Sequence, residues 1–234
     1  MLIHQVPRRI FDAWLSHKTA GMVELLERVC VDVVQALSAS GAGVSVMTGD
    51  GVHGMAAASD PSTARIEELQ FTLGEGPCID AFASGRPVLV SDLADGATSR
   101  WPLYTPAVRD AGVRAVFAFP LQIGAARLGV LDVFRTRPGS LSRAELGQVF
   151  TFADLMVMTL LDGQERADVG EFDEVFEHRA ELFQAQGMVM VQLGIPLTDA
   201  LVWIRAHAYA SNRPLIEVAA DIVARRLRFD IDHA

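Results

Sequence analysis

RAVFAFPLQIGAARLGVLDVFR, residues 114–135, decides the fold of the larger part of this chain. Residues 115–121 and 127–134 are rich in β-branched and aromatic side chains, and the stretch between them, 122–126, contains Gly124. This reads as two antiparallel strands joined by a turn. Upstream, 87–90 is a third short strand, and 44–48 with 52–59 form another pair around Gly49, Asp50 and Gly51, residues that tolerate positive φ. Before that pair, Met22, Leu25, Leu26, Val29, Val33 and Leu37 recur at helical spacing, and Gly41 is expected to end the helix. Cys30 falls on the polar side of this predicted helix.

Downstream, Ser142 and Glu145 form a capping box at the start of a helix. Leu146, Val149, Phe150, Ala153, Met156, Val157, Leu160 and Leu161 cover one of its faces, while Phe152, Leu155 and Met158 add bulk elsewhere. A helix apolar nearly all round is buried against more than one partner. The sheet is one, a second subunit is expected as the other, and the chain is therefore expected to be a homodimer. Helical spacing over 62–71, a loop at 73–78, and helices at 79–84 and 104–111 fill the irregular middle. The order helix, hairpin, helical loops, hairpin, helix gives an α+β architecture with an antiparallel sheet.

Half of the 234 residues are hydrophobic, 21% are charged, and the net charge is −9. That balance suits packed globular domains and gives no global attraction to phosphates or anionic membranes, so nucleic-acid binding requires a local basic patch. No signal peptide is read at the N-terminus, and the most apolar window, 149–161, is short and carries Asp154. With two separated cysteines the chain fits a reducing cytoplasm, without membrane partners. Lys18 is its sole lysine, an Arg bias better explained by GC-rich coding than by phosphate clamping.

Residues 179–229 divide into three helical stripes. Leu182, Ala185, Gln186, Val189, Met190 and Leu193 precede Gly194. Leu197, Leu201, Ile204 and Ala208 follow Pro196 and end near Asn212. Leu215, Val218, Ala219, Ile222, Val223 and Leu227 follow Pro214. Three stripes make a small bundle, too small to be reliably self-sufficient, and it is expected to lean on a neighbour.

FTLGEGPC (71–78), GRPVLVSDL (85–93), RAVFAFPL (114–121) and RLGVLDVFR (127–135), in this order, resemble the GAF domain family. QAQGMVMVQLGI (184–195), ALVWIRAHA (200–208) and NRPLIEVAADIVARRL (212–227) resemble the ANTAR family of RNA-binding antiterminators. Ile10, Phe11, Trp14 and Leu15 give a helical lead-in over 1–20, and the acidic stretch around Gly170 gives a linker over 166–178 through part of which helix can run; the resemblance implies a GAF sensor over 21–165 and an all-α three-helix ANTAR module over 179–230. It implies a signal-responsive transcription antitermination regulator whose GAF domain takes a small ligand or partner and whose ANTAR module binds RNA stem-loops in nascent transcripts. Small Ala185, Gly187, Ala200 and Ala219 and basic Arg205 match the ANTAR pattern. Gln186 departs from it, because the family has Lys there.

The candidate RNA contacts are Gln184, Gln186, Arg205, Tyr209, Arg213, Arg225, Arg226 and Arg228, with Tyr209 as a stacking aromatic. Six arginines stand against ten carboxylates over residues 171–234. Binding therefore depends on where the arginines lie, and the salt slope is expected to be shallow. Arg86, Asp92, Arg100, Trp101 and Tyr104 are candidates for the lip of the GAF ligand pocket. Cys78 is a redox candidate, since a helix N-terminus lowers a thiol pKa. It lacks a neighbouring resolving cysteine. No catalytic motif, metal site or cofactor site is read, so the expectation is a non-enzyme. The rivals are a regulator whose helical module binds protein, and a Cys78-dependent reductase.

Overall fold

The computed structural model describes residues 21–47, 53–166, 171–211 and 213–230. The lead-in over 1–20, the turn at Gly49 to Gly51, residues 167–170 of the linker and the helix end at Asn212 lie outside them.

Helix α1 (Met22–Leu37) buries Met22, Leu26, Val29, Cys30, Val33 and Leu37. Cys30 is thus a core residue and not a polar-face one, because α1 packs both on the sheet and on the helix that follows it. Ser38, with φ 47°, takes the left-handed C-cap expected of Gly41, which instead opens strand β1 (Gly41–Met47). Glycine at 41 has a tertiary cause: a Cβ there would lie 2.1 Å from Thr63 Oγ1.

Strand β2 (His53–Ala58) pairs with β1, and helix α2 (Pro61–Leu73) starts on an Asp60 cap that accepts from the Ser62 and Thr63 amides. Helix α3 (Pro77–Ser84), strand β3 (Val88–Val90), and helices α4 (Ala97–Arg100) and α5 (Tyr104–Asp110) complete the irregular middle. Strands β4 (Ala115–Ile123) and β5 (Ala126–Arg135) run further into the predicted turn than the sequence suggests. Ile123 pairs with Ala126, leaving only Gly124 and Ala125 between the strands, with Gly124 at φ 57°.

The five strands form one antiparallel sheet in the order β2-β1-β5-β4-β3. Strand alternation divides the buried residues between its faces. Ala42, Val44, Val46, Phe117, Phe119, Leu131 and Val133 meet α1 and helix α6 (Arg143–Arg166). Met47, Val116, Ala118, Val130 and Phe134 meet α3 and α5 on the other side. The capping box of α6 is present: the Ser142 amide donates to Glu145 Oε2 at 2.7 Å and the Glu145 amide to Ser142 Oγ at 3.2 Å. Arg135 pairs with Glu145 and also donates to the Leu37 carbonyl at 2.7 Å, tying β5 to both flanking helices. The second apolar side of α6, including Phe152 and Leu155, is covered by α1 of the same chain. Over 143–162 this helix is long and apolar enough to span a bilayer, and its buried positions form the core under the sheet.

Helices α7 (Glu171–Leu193), α8 (Leu197–Ser211) and α9 (Leu215–Val223) form the C-terminal module. Gly194, at φ 63°, ends α7, and the chain bends by 102° into α8. Ala185, Ala200 and Ala219 are fully buried at the crossings, as close helix approach requires. Gly187 differs, since a Cβ there would meet nothing. Helix α9 stops short of its predicted end because Arg225 adopts φ 60°, so Arg225, Arg226 and Arg228 follow the helix rather than line it.

Candidate functional site: a sealed polar cluster and the module docked beside it

On the face of the sheet that meets α2, α3 and α5 lies a group of side chains of which the sequence marked only Cys78 and Tyr104. Ser45 and Met47 come from β1, Asp132 from β5, Glu67 and Gln70 from α2, Cys78 from α3 and Tyr104 from α5. All are fully buried except Met47, which is 4% exposed. Ser45 Oγ donates to Glu67 Oε2 at 3.1 Å, Gln70 Nε2 donates to Asp132 Oδ2 at 3.2 Å, and the Cys78 amide donates to Gln70 Oε1 at 2.8 Å. Cys78 Sγ lies 3.9 Å from Met47 Sδ. One potential ligand atom from each of Glu67, Cys78 and Asp132 lies within 4.8 Å of the others. Glu67 and Asp132 hydrogen-bond to each other and Cys78 to Asp132, whereas the Tyr104 hydroxyl is buried with no hydrogen-bond partner among the described residues.

Two glycines make this arrangement fit. A Cβ on Gly43 would stand 2.6 Å from Glu67 Oε1, and one on Gly76 would stand 2.5 Å from Gln70 Oε1. Gly76 is also at φ 145°, open to glycine alone in practice. The LGEGPC stretch therefore has a structural reading. Gly74 ends α2 at φ 71°, Glu75 Oε1 accepts from the Leu103 and Tyr104 amides at the start of α5, and Gly76 and Pro77 start α3.

Electrostatics follow from burial. Desolvation raises the Asp132 pKa to about 7 and holds that of Glu67 well above the usual carboxylate range, with the Asp132 charge adding to the effect. Cys78 behaves opposite to the expectation from its helix position. Burial pushes its thiol up, and the charges of Asp132 and Glu67 push further, so it is no ready nucleophile. Cys30, the other thiol, is buried on the far side of the sheet and raised as well.

Of the residues proposed for a pocket lip, Arg100, Trp101 and Tyr104 are brought together, Arg100 4.7 Å over the Trp101 ring and Trp101 edge-on to Tyr104 at 6.3 Å. Arg86 is exposed, and Asp92 accepts from the Ala94 amide at 2.8 Å in a surface turn. Arg100 and Trp101 both donate to Asp80, at 2.8 and 3.2 Å, pinning α4 to α3. Of the five, Tyr104 alone enters the sealed cluster, where burial first and then Asp132, Glu67 and Cys78 push its hydroxyl pKa up. A cleft of about 740 Å³ lies elsewhere, between α1 and β2, lined by residues such as Arg28, Asp32, Met55 and Pro61.

The candidate RNA contacts also divide. Gln184, Tyr209, Arg225 and Arg228 are exposed, Tyr209 by 57%. Arg213 pairs with Asp221 at 2.8 Å and Glu217 at 3.5 Å, and Arg226 pairs with Asp221 at 2.6 Å, so Asp221 offsets both. Gln186 is only 4% exposed, with Oε1 unpartnered among the described residues; it belongs to the interior of the module and not to its surface.

Arg205 is turned toward the first domain. Its Nε donates to the Phe71 carbonyl at 3.0 Å, and its guanidinium lies against Gly74, at the end of α2. Burial there lowers its pKa. Nearby, Glu68 of α2 is raised chiefly by burial, then by Glu217 of α9, and is partly offset by the Leu215 amide. Helix α2 thus sends Glu67 and Gln70 into the sealed cluster and presents Glu68, the Phe71 carbonyl and Gly74 to the C-terminal module.

Comparison with known proteins agrees with this two-part organisation. The chain matches the GAF domain family over residues 19–160 and the ANTAR domain family over residues 171–223. No curated protein matches it. Among solved structures, the GAF domain from a phosphoenolpyruvate-protein phosphotransferase of Coxiella burnetii is 16% identical, covering 69% of this chain and 94% of that one with a TM-score of 0.56. The GAF domain from the Acinetobacter phosphoenolpyruvate-protein phosphotransferase is 14% identical, with coverages of 69% and 94% and a TM-score of 0.54. At such identities the likeness is one of fold. With its larger domain matched along its length and the three-helix module matched behind it, the chain belongs to the GAF domain family and carries a C-terminal ANTAR domain.

Proposed function

We propose that this chain is a cytoplasmic, signal-responsive antitermination regulator rather than an enzyme, and that its ANTAR domain binds hairpins in nascent RNA under control of the GAF domain. The observation that carries the reading is the Arg205 contact. A basic residue of the ANTAR pattern is held on the C-terminal end of α2, the helix that also lines the sealed GAF cluster. A signal that changes the packing of α2 has different affinity for the docked and released arrangements, which is what control of RNA binding requires. In the docked arrangement the exposed Tyr209, Arg225, Arg228 and Gln184 are left to meet RNA. Release adds Arg205 to them. Homodimerisation, which would present two modules to paired hairpins, belongs to the same proposal.

Fluorescence anisotropy with RNA carrying two short hairpins, against duplex DNA of equal charge, tests it. Salt-sensitive preference for the RNA supports the reading, and equal or absent binding to both rejects it. A second reading, docking on a protein, is favoured by one feature: Phe183, Met190 and Val191 of α7 and Val202 of α8 are exposed apolar residues, Val191 by 76%. It predicts that Arg225→Glu with Arg228→Glu leaves function intact.

A further inference from the structure

We infer that Glu67, Cys78 and Asp132 form a binding site for a single divalent transition-metal ion in the core of the GAF domain, with Tyr104 facing it. The three candidate ligand atoms come from α2, α3 and β5 and lie within 4.8 Å of one another. Around an ion bound at about 2.0–2.3 Å, ligand atoms stand roughly 3–4 Å apart, so side-chain adjustments of about 1 Å complete the set. Four different elements are needed to build this cluster, with 54 residues separating Cys78 from Asp132 in the chain by their numbers.

Beside the three donors, the Tyr104 hydroxyl is fully buried and has no partner among the described residues; burial first, and then its neighbours Asp132, Glu67 and Cys78, push its pKa up. Polar atoms in such positions ordinarily have a partner in the folded protein or a bound species. Glu67 and Asp132, by contrast, hydrogen-bond to each other through a shared proton, which an ion between them would replace. The surroundings favour an ion over an organic molecule, because every donor is sealed from solvent and the cleft of about 740 Å³ lies on the other side of the sheet, beside α1 and Leu155.

The donor set selects the ion. A thiolate with two carboxylates suits Zn²⁺ or Fe²⁺, whereas Ca²⁺ and Mg²⁺ prefer oxygen ligands in larger number. Binding releases the Cys78 thiol proton, and any proton shared by the carboxyl pair, to solvent; no electron transfer is involved. Gln70 and Ser45, which donate to Asp132 and Glu67, are positioning residues that orient the carboxylates. As the signal read by the sensor, the ion rests on the regulatory reading above. As a metal centre it does not, and metal content is measured without RNA.

The test uses the full chain. Its metal content is measured as purified, the ion is removed with a strong chelator, and Co²⁺ alone is then titrated while thiolate-to-cobalt absorption and circular dichroism are followed. One equivalent of metal per chain and a cobalt–thiolate band are expected. Cys78→Ser should abolish the band, Cys30→Ser should leave it, and Glu67→Gln and Asp132→Asn should each weaken Co²⁺ binding by about tenfold or more. Because Cys78→Ser could unfold the domain, Gln70→Ala gives a second readout: it should weaken Co²⁺ binding while keeping the band at saturation. Folded wild-type protein with neither metal nor band overturns the inference. So does a band that survives Cys78→Ser, or Co²⁺ affinity unmoved by both carboxylate variants.

Discussion

Replacing Gly74 by Ala places one methyl group at the junction of sensor and effector. The new Cβ would lie 2.7 Å from Arg205 Nη1 and 3.1 Å from its Cζ, so the guanidinium must withdraw. A hydrogen bond to a charged group contributes about 1.5–3 kcal/mol. Arg205 is only partly buried, so solvent screening reduces this to about 1 kcal/mol for its bond to the Phe71 carbonyl. A shift of that size changes the ratio of docked to released module about fivefold. The backbone adds a separate cost, because Gly74 is at φ 71° and a left-handed alanine costs about 1–2 kcal/mol. The expected result is RNA-hairpin affinity raised by up to about fivefold, together with a lower melting temperature. Gly74→Asn separates the two effects. Asparagine tolerates positive φ yet carries the same Cβ, so it should give the same gain in RNA affinity with a smaller thermal loss. Folded variants that both bind RNA like wild type, or more weakly, would refute the reasoning.

Glu145 is pulled down to about 2 by hydrogen bonds from the Ser142 amide and hydroxyl, with Arg135 adding to them. A depressed carboxylate contributes stability above its unfolded pKa that is lost as pH falls through its folded one. Glu145→Gln should therefore flatten the acid side of the stability profile between about pH 4.5 and 2 and lower stability at neutral pH by about 1 kcal/mol; an unchanged acid slope in urea titrations would count against it. Arg225→Glu with Arg228→Glu should weaken hairpin binding and reduce its salt slope by about 2, while Arg213→Glu, already offset by Asp221, should do less; anisotropy at several salt concentrations reads both. Ala200→Leu should cost about 1–3 kcal/mol by overpacking the crossing. Gly187→Ala, with open space at its Cβ, should instead raise stability by about 0.5–1 kcal/mol in thermal melts.

Much of the fold was legible because its causes are local. Strand alternation around Gly124, the Ser142–Glu145 capping box and the three stripes after Leu182 each contain their own signal. Gly41 misled because its glycine answers to Thr63 of α2, packed on the sheet, and not to the helix before it. Cys30 misled for a related reason: a single polar face is inferred from one partner, whereas α1 has two. The sealed cluster was harder to read. Glu67 and Gln70 sit one helical turn apart, but Asp132 meets them only through the topology. Its one visible mark was a carboxylate interrupting the apolar run of β5. Arg205 matched the ANTAR pattern, yet nothing in its neighbourhood in sequence announced the Phe71 carbonyl 134 residues away. Gln186 is the opposite case: spacing set it on the apolar stripe with Ala185 and Val189, where it is indeed buried, and only the family pattern, with Lys at that position, drew it to the surface.

Single-round transcription across a terminator preceded by two short RNA hairpins tests the central claim most directly, with wild-type chain, Gly74→Ala and Arg225→Glu with Arg228→Glu compared at equal concentration. Read-through should rise with wild-type protein, rise further with Gly74→Ala, and fall with the double arginine variant. Read-through that ignores all three proteins while each remains folded would contradict that claim.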